Sequence, residues 1–486
     1  MSNENRGTWG SNIGFLMAAI GSAVGLGNIW GFPYKMGANG GFAFLLVYLI
    51  IAVFVGFVIM VSELAIGRKT GQGAVGAYLN LSKKFKWVGW LSFVAPALIM
   101  TFYAVLGAYC LEYMCLNLAD VAFVSLGSSG MNGGEIFGTM LTNPAGCAIF
   151  TLFFMASCLL IVKGGIKGGI EKFNVIAMPA LFIMLVIIVI RSVTLPGAVE
   201  GLKFMFMPNL EPLKEDFIGV LAVAGSQCFF SLSLAMGITI TYGSYLSKKE
   251  SLVKNSLIVV ISDTVVALMA GLAVLPASFA LGGEGAELAG PKLLFVTLQD
   301  VFAAMGWVGS IFGVIFYLLV FVAALSSAIA LTEVLVTFFI DHAHAKLKKP
   351  NRKKITAWIC FFITLGALLV AVDGLGSNGV WVPFKETFAS IDPVTGETVY
   401  AAWNDCWLDF MDAWSEGIAM PLGALLMSLM IGWEIKPKTI IEEIEQEGIV
   451  CKCKGFYSFC IKFVVPVAMT LILLGQIDGF FGLGIF

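Results

Sequence analysis

Apolar residues gather in eleven long stretches along the chain, each near the roughly 20 residues that cross a bilayer as helix. The stretches are 11–36, 41–67, 88–118, 146–162, 173–192, 217–246, 252–281, 305–340, 355–372, 408–433 and 456–482. This pattern predicts an all-α membrane protein with eleven transmembrane helices. Two stretches are interrupted. The first carries Gly21–Ser22–Ala23–Val24–Gly25–Leu26–Gly27–Asn28–Ile29–Trp30–Gly31–Phe32–Pro33, with four glycines, a proline, a serine and an asparagine in one run. The sixth repeats the signature in Gly225–Ser226–Gln227–Cys228–Phe229–Phe230–Ser231–Leu232–Ser233–Leu234–Ala235–Met236–Gly237. Glycine and proline weaken a helix by roughly 1 and 3 kcal/mol relative to alanine. In a bilayer, broken helix is tolerated only where the freed backbone is buried in protein or lines a cavity. Small residues also serve close helix packing, but recurrence at corresponding places in two sets of five spans favours a binding site. Paired interruptions of this kind mark transporters with inverted repeats and a midplane site. Exposed helix N-termini attract anions, and freed carbonyls attract cations. The chemistry therefore predicts a small zwitterion carried with a monovalent cation.

Composition agrees with a membrane chain. Of 486 residues, 59% are hydrophobic and 12% charged, where a soluble domain has about a quarter charged. The first stretch lacks a small-residue cleavage site after a short core and reads as a helix, not a removable signal. The net charge of −2 says little about partners, but the basic residues are distributed asymmetrically. With the N-terminus inside, 23 of the 29 lysines and arginines lie on one side. This sets the N-terminus in the cytoplasm and the C-terminus outside, in a plasma (inner) membrane protein. The segments 119–145, 193–216, 282–304 and 373–407 then face outward. The Glu-rich stretch 435–455 reads as a cytoplasmic helix or solvated linker.

Enzyme chemistry is not in evidence. There is no Ser-His-Asp constellation, no phosphate-binding Gly-Lys-Ser/Thr loop and no metal-ligand cluster. Cys451 and Cys453 form a Cys-Lys-Cys pair, too few ligands for a zinc site. His342 and His344 sit beside a lysine run and read as solvated loop residues. Neither an ATP-driven pump nor a nucleic-acid partner is expected.

The stretch Gly21–Pro33, the following Asn39–Gly40–Gly41 and the run from Gln227 to Ser233 closely resemble the neurotransmitter:sodium symporter family, above all its bacterial amino-acid branch. The resemblance covers nearly the whole chain. It implies a LeuT-type fold, a 5+5 inverted repeat with unwound helices 1 and 6. Helices 1–5 (residues 1–192) would form the first repeat, helices 6–10 (217–433) the second, and 456–482 an extra helix. It implies one sodium at Ala23, Asn28, Ser231 and Asp263 with the substrate carboxylate, and a second at Gly21, Val24, Ala323, Ser326 and Ser327. The substrate pocket would be lined by Ser22, Ala23, Leu26, Gly27, Ile99, Tyr103, Phe230, Ser231, Ser233, Met236, Ser327 and Leu331. Tyr103 would contact the substrate carboxylate and Phe230 lie over it as a lid.

Departures from the family pattern are informative. Asp263 stands where the family usually has asparagine, and chloride-independent members supply an acidic group near this sodium. An ionisable residue in mid-membrane is costly and usually functional. Sodium is therefore expected as the cofactor, without a chloride requirement. Gly25 stands where amine transporters have an aspartate, which favours a carboxylate-bearing substrate. Apolar walls disfavour charged side chains, and Met236 fills irregular space, so the expected substrate is a bulky aliphatic or aromatic amino acid. Another zwitterion, such as a betaine or γ-amino acid, is the first alternative, and a membrane sensor with weak transport the second.

The resemblance also implies gates. Arg6, Trp9, Ser244, Tyr245 and Asp341 would close the inner side through an Arg6–Asp341 pair. Gly169 and Pro179 resemble a span-five motif whose unwinding admits water to the second sodium. Glu63 would brace the unwound part of span six near Ser233, with an ion pair to Arg68 as the plainer reading. At the outer gate, with Tyr103, Phe230 and Gln227, the family pairs an arginine with an aspartate. The aspartate is Asp412, but the arginine position is Gly31. Lys35, one turn on, is expected to replace it around Asp412, with Glu416 nearby.

Overall fold

In the computed structural model, helices occupy all eleven apolar runs. It describes residues 7–123, 128, 130–282, 290–346, 349–391, 398–481, 483 and 485. Span one is Asn12–Ala23 followed by Gly27–Ala38, bent by 44°. Spans two to five are Phe42–Thr70, Val88–Phe123, Pro144–Lys163 and Ile166–Val193. Span six is Phe217–Ser231 and Ile238–Gly243. Spans seven to eleven are Leu252–Gly282, Trp307–Ala345, Arg352–Asp373, Trp407–Glu434 and Lys454–Phe481. Among the described residues, nine helices are long and apolar enough to cross a membrane unaided, and bent span one makes ten. Span six misses that length because its 15 and 6 helical residues are separated by a break. At 1.5 Å per residue they still add to roughly 30 Å, the hydrocarbon thickness.

Local chemistry sets the ends. The Ser11 hydroxyl accepts the Gly14 N–H at 2.9 Å and starts span one. Asp216 does the same for Gly219 at 2.7 Å and starts span six. Gly71, at φ 63°, ends span two in the left-handed conformation that glycine adopts freely. In span eight, 72% of the most apolar window is buried, and in span two 67%; the figure is 33% in spans four, five and eleven. Span three matches span two and span ten matches span eight, so spans two, three, eight and ten are the most enclosed, and four, five and eleven the most exposed. The longer connections carry helices of their own, including Gly133–Leu141, Ala198–Phe206 and Leu293–Ala304. Residues 390–391 pair antiparallel with 398–399, Ser390 opposite Val399.

The 435–455 segment differs from a solvated linker. Its helix Pro437–Ile444 packs against the basic end of the bundle. There the Arg68 guanidinium meets the Glu443 carboxylate at 2.8 Å, both side chains 1% exposed. Arg68 also donates to the carbonyls of Glu443 and Glu250. Beyond it, Lys454 and the Cys451 N–H hold the Glu445 carboxyl below its ordinary range. Removing one partner of a buried ion pair costs about 3–5 kcal/mol, and an apolar replacement of both costs far less. Glu443→Ala is therefore expected to lower the melting temperature of the purified protein clearly, and Arg68→Met with Glu443→Met to recover most of the loss.

Candidate substrate and sodium sites

Span one stops being a helix after Ala23, where Val24 turns extended (φ −74°, ψ 99°). The chain resumes in a wide π-helical turn at Gly27–Gly31. The freed carbonyls are taken up by neighbouring spans. Ser233 donates to the Ser22 carbonyl at 2.7 Å, and Ser327 donates to the same oxygen at 3.1 Å and to Gly21 at 3.4 Å. The Leu26 N–H donates to the Tyr103 hydroxyl at 3.0 Å. Gln227 donates to the Gly27 carbonyl at 2.6 Å. Spans one, three, six and eight thus converge on one broken turn.

Span six breaks over Leu232–Gly237, and the break is strained. Ser233 and Ala235 have φ of 55° and 61°, which non-glycine residues seldom adopt. Fully buried Glu63 of span two accepts the Ala235 N–H at 3.0 Å and the Thr239 hydroxyl. Its carboxylate therefore ties the broken stretch to the start of the helix that follows it. The alternative pair with Arg68 does not form, because Arg68 is bound to Glu443.

Asp263 of span seven is wholly buried and surrounded by donors. Asn28 donates to it at 2.7 Å, Ser231 to both oxygens at 3.0 Å, and Tyr48 at 3.3 Å. All three are neutral, and among the described residues no basic side chain pairs with Asp263. The carboxylate, amide, hydroxyl and nearby carbonyl oxygens fit a hard monovalent cation; thiolate and imidazole are absent from the set. Of the second expected set, Gly21, Val24, Ala323, Ser326 and Ser327, all five residues are buried, and Ser327 donates across to the Gly21 carbonyl at 3.4 Å. Among the described residues no group of three or more His, Cys, Asp or Glu side chains is arranged to hold a metal ion.

The expected pocket residues Leu26, Ile99, Tyr103, Met236 and Leu331 are all buried. The Tyr103 and Phe230 rings lie 6.4 Å apart. Gly25 does not leave open space: an added Cβ would run into the Ser327 and Tyr103 oxygens. A side chain there, charged or not, needs both to move.

On one side of this region, Lys35 pairs with Glu416 rather than with Asp412. Ser226 donates to the same Glu416 oxygen at 2.7 Å. Asp412 lines, with these residues, a cavity of about 510 Å³ between spans one, six, ten and eleven. The π-helical turn Ala413–Ala419 places Glu416 within reach of Lys35. Across from Gly31 the Gln227 Oε1 is buried without a partner, where an added Cβ would lie 2.8 Å away. On the basic side, Trp9 donates to the Tyr242 carbonyl at 3.1 Å and packs on the Tyr242 ring at 5.1 Å. Ser244 turns back to the Thr241 carbonyl, and Asp341 accepts the Gly73 N–H at 2.8 Å. Arg6 lies outside the described residues, and so does the Arg6–Asp341 pair. Span five, with Gly169 and Pro179, is helical from Ile166 to Val193.

A family model described as "Sodium:neurotransmitter symporter family" matches residues 6–126 and 135–394. The chain belongs to the sodium:neurotransmitter symporter family. A sodium-dependent transporter of Bacillus subtilis, YhdH, is 33% identical over 98% of this chain and 99% of its own. One from Haemophilus influenzae is 30% identical with the same coverage. The crystal structure of MhsT in complex with L-phenylalanine matches with TM-score 0.82 and 34% identity, over 97% of this chain and 100% of that one. The protein is thus a sodium-dependent, multi-pass membrane symporter of LeuT-type fold, not an enzyme.

In this symporter one buried cluster was missed by sequence reasoning. Glu333 of span eight, fully buried, accepts from Tyr245 at 3.0 Å and pairs with Arg352 at the start of span nine. Arg352 also donates to the Val162 carbonyl at the end of span four. The signal was present: an acid inside an apolar run is seldom idle. It was hidden because Arg352 sits in a basic cluster that reads as an orientation signal.

Proposed function

We propose that the protein imports a neutral, hydrophobic L-amino acid with sodium, by alternating access and without chloride. The observation that carries this reading is Asp263, a buried carboxylate held by three neutral donors and paired with no basic side chain among the described residues. Sodium, when bound, supplies the missing positive charge. Asp263 and Asn28 would hold it beside the substrate carboxylate, with Ala23 and Ser231; the Gly21–Ser327 set would hold a second ion. Leu26 N–H and Tyr103 would orient the substrate carboxylate, and Ile99, Met236 and Leu331 would meet its side chain. The apolar walls and the uncharged Gly25 support an amino acid over an amine, and MhsT, similar over its whole length, was crystallised with L-phenylalanine. Because substrate and sodium would share Asp263's surroundings, each is expected to tighten the other's binding.

The basic face would be cytoplasmic, in the plasma membrane with the N-terminus inside. Glu63 would act as the brace that keeps span six broken. Lys35–Glu416 would be the outer latch, linking span one to span ten, and its presence supports transport over sensing. Exposed pairs contribute about 0–1 kcal/mol, but this one is only 13% and 8% exposed. Lys35→Gln is expected to raise the KM for uptake several-fold with normal expression; an unchanged KM and rate would remove the latch. The substrate assignment is tested by displacement of bound phenylalanine from purified protein in sodium. Leu, Met, Tyr and Trp should compete, and Asp, Lys, betaine and γ-aminobutyrate should not. Strong displacement by betaine or γ-aminobutyrate would overturn it.

A further inference from the structure

Span five presents two acceptors to span one that the proposed function leaves unused. Glu171, Asn174 and Met178 lie three and four residues apart, on one helix face. The facing side of span one is glycine. A Cβ at Gly14 would run into Glu171, and one at Gly21 would occupy the place of Asn174 Oδ1, with Met178 Sδ at 3.2 Å. Asn174 is completely buried, and its NH2 group donates to the Ile170 carbonyl at 2.9 Å. That bond fixes the orientation of the amide, because only the nitrogen end approaches a carbonyl. Oδ1 therefore points the other way, toward Gly21, and has no hydrogen-bond partner. One turn nearer the basic end, Glu171 accepts the Gly10 N–H at 2.7 Å and the Ser11 hydroxyl at 3.2 Å. Gly10 and Ser11 in turn line a cavity of about 560 Å³ at that end.

A buried acceptor without a donor is unfavourable and uncommon. Its position, beside the backbone of the second expected sodium set, gives it a use. A sodium ion moving through an apolar gap keeps a low barrier only if oxygens replace its hydration shell at each step. We propose that Asn174 Oδ1 is a transient sodium ligand, the first oxygen met by an ion leaving the Gly21–Ser327 set for the cytoplasm, with the Glu171 carboxylate as the next. The inference rests on the second sodium site and the orientation proposed above. Gly21 and Gly14 would then be glycine because the ion's path and its acceptors occupy the space of their side chains.

The test measures release of radiolabelled sodium from purified protein in nanodiscs, after dilution into sodium-free buffer. Asn174→Val and Asn174→Thr have the same shape, and only threonine carries an oxygen. The valine variant is expected to release sodium about tenfold more slowly than wild type, with equilibrium affinity within about twofold. The threonine variant is expected to stay within about threefold of wild type. Equal rates in the two variants would overturn the proposal, as would a valine variant whose affinity falls in step with its rate. If the valine protein does not fold, Asn174→Asp decides: a full charge at this point should tighten equilibrium sodium binding at mildly alkaline pH. No tightening would count against the relay. Wild type that retains no labelled sodium would instead sink the sodium-site reading itself.

Discussion

Asp263→Asn is expected to weaken apparent sodium affinity at least about a hundredfold and to make the remaining uptake depend on chloride. The carboxylate is the one formal negative charge among Asn28, Ser231, Tyr48 and the broken turn of span one. A cation in that buried place with neutral donors only would lose several kcal/mol of Coulomb stabilisation. Asparagine keeps the shape and the hydrogen bonds to Ser231 and Tyr48 while removing the charge. An added anion near the same ion would restore the balance, so chloride titration of the variant is the readout. Uptake by Asp263→Asn that is as strong in chloride-free buffer as in chloride would remove the charge-replacement argument. So would wild-type uptake that collapses without chloride.

Glu63→Ala is the second large effect. It is expected to abolish measurable uptake and to lower thermal stability, because the Ala235 N–H and Thr239 hydroxyl lose their acceptor. A buried donor left unmade costs about 1–3 kcal/mol. The positive φ at Ser233 and Ala235 adds about 1–3 kcal/mol of strain each, which persists only while the surroundings hold it. Ser233 donates to Ser22, so a relaxed span six would also lose its grip on span one. Glu63→Gln keeps one acceptor and is expected to retain folding with uptake reduced about tenfold or more. A Glu63→Ala protein that transports and melts like wild type would show that the break holds itself.

The helical runs were legible because helix in lipid demands about 20 apolar residues, and few other folds produce that run. The two breaks were legible because Gly21–Pro33 and Gly225–Gly237 contradict their own surroundings. Partners far apart in sequence were less so. Nothing local to Arg68 tells that it chooses Glu443, 375 residues away, over Glu63 five residues away. Lys35 was legible as a gate candidate, but its choice of Glu416 depends on the π-helical turn at Ala413–Ala419, which no spacing rule for a regular helix contains. Gly25 was legible as a position without charge, but not that Tyr103 and Ser327 from spans three and eight fill the place of a side chain there. Gly31 leaves Gln227 Oε1 without a donor, a gap visible only once span six is laid against span one.

Joint movement of substrate and sodium through this site is tested by uptake into proteoliposomes. Labelled phenylalanine is followed with and without an inward sodium gradient, at fixed chloride and then in its absence. Accumulation above equilibrium is expected that needs the gradient, survives removal of chloride and disappears in Asp263→Ala. Saturable phenylalanine binding with no gradient-driven accumulation, or accumulation that ignores sodium, would contradict it.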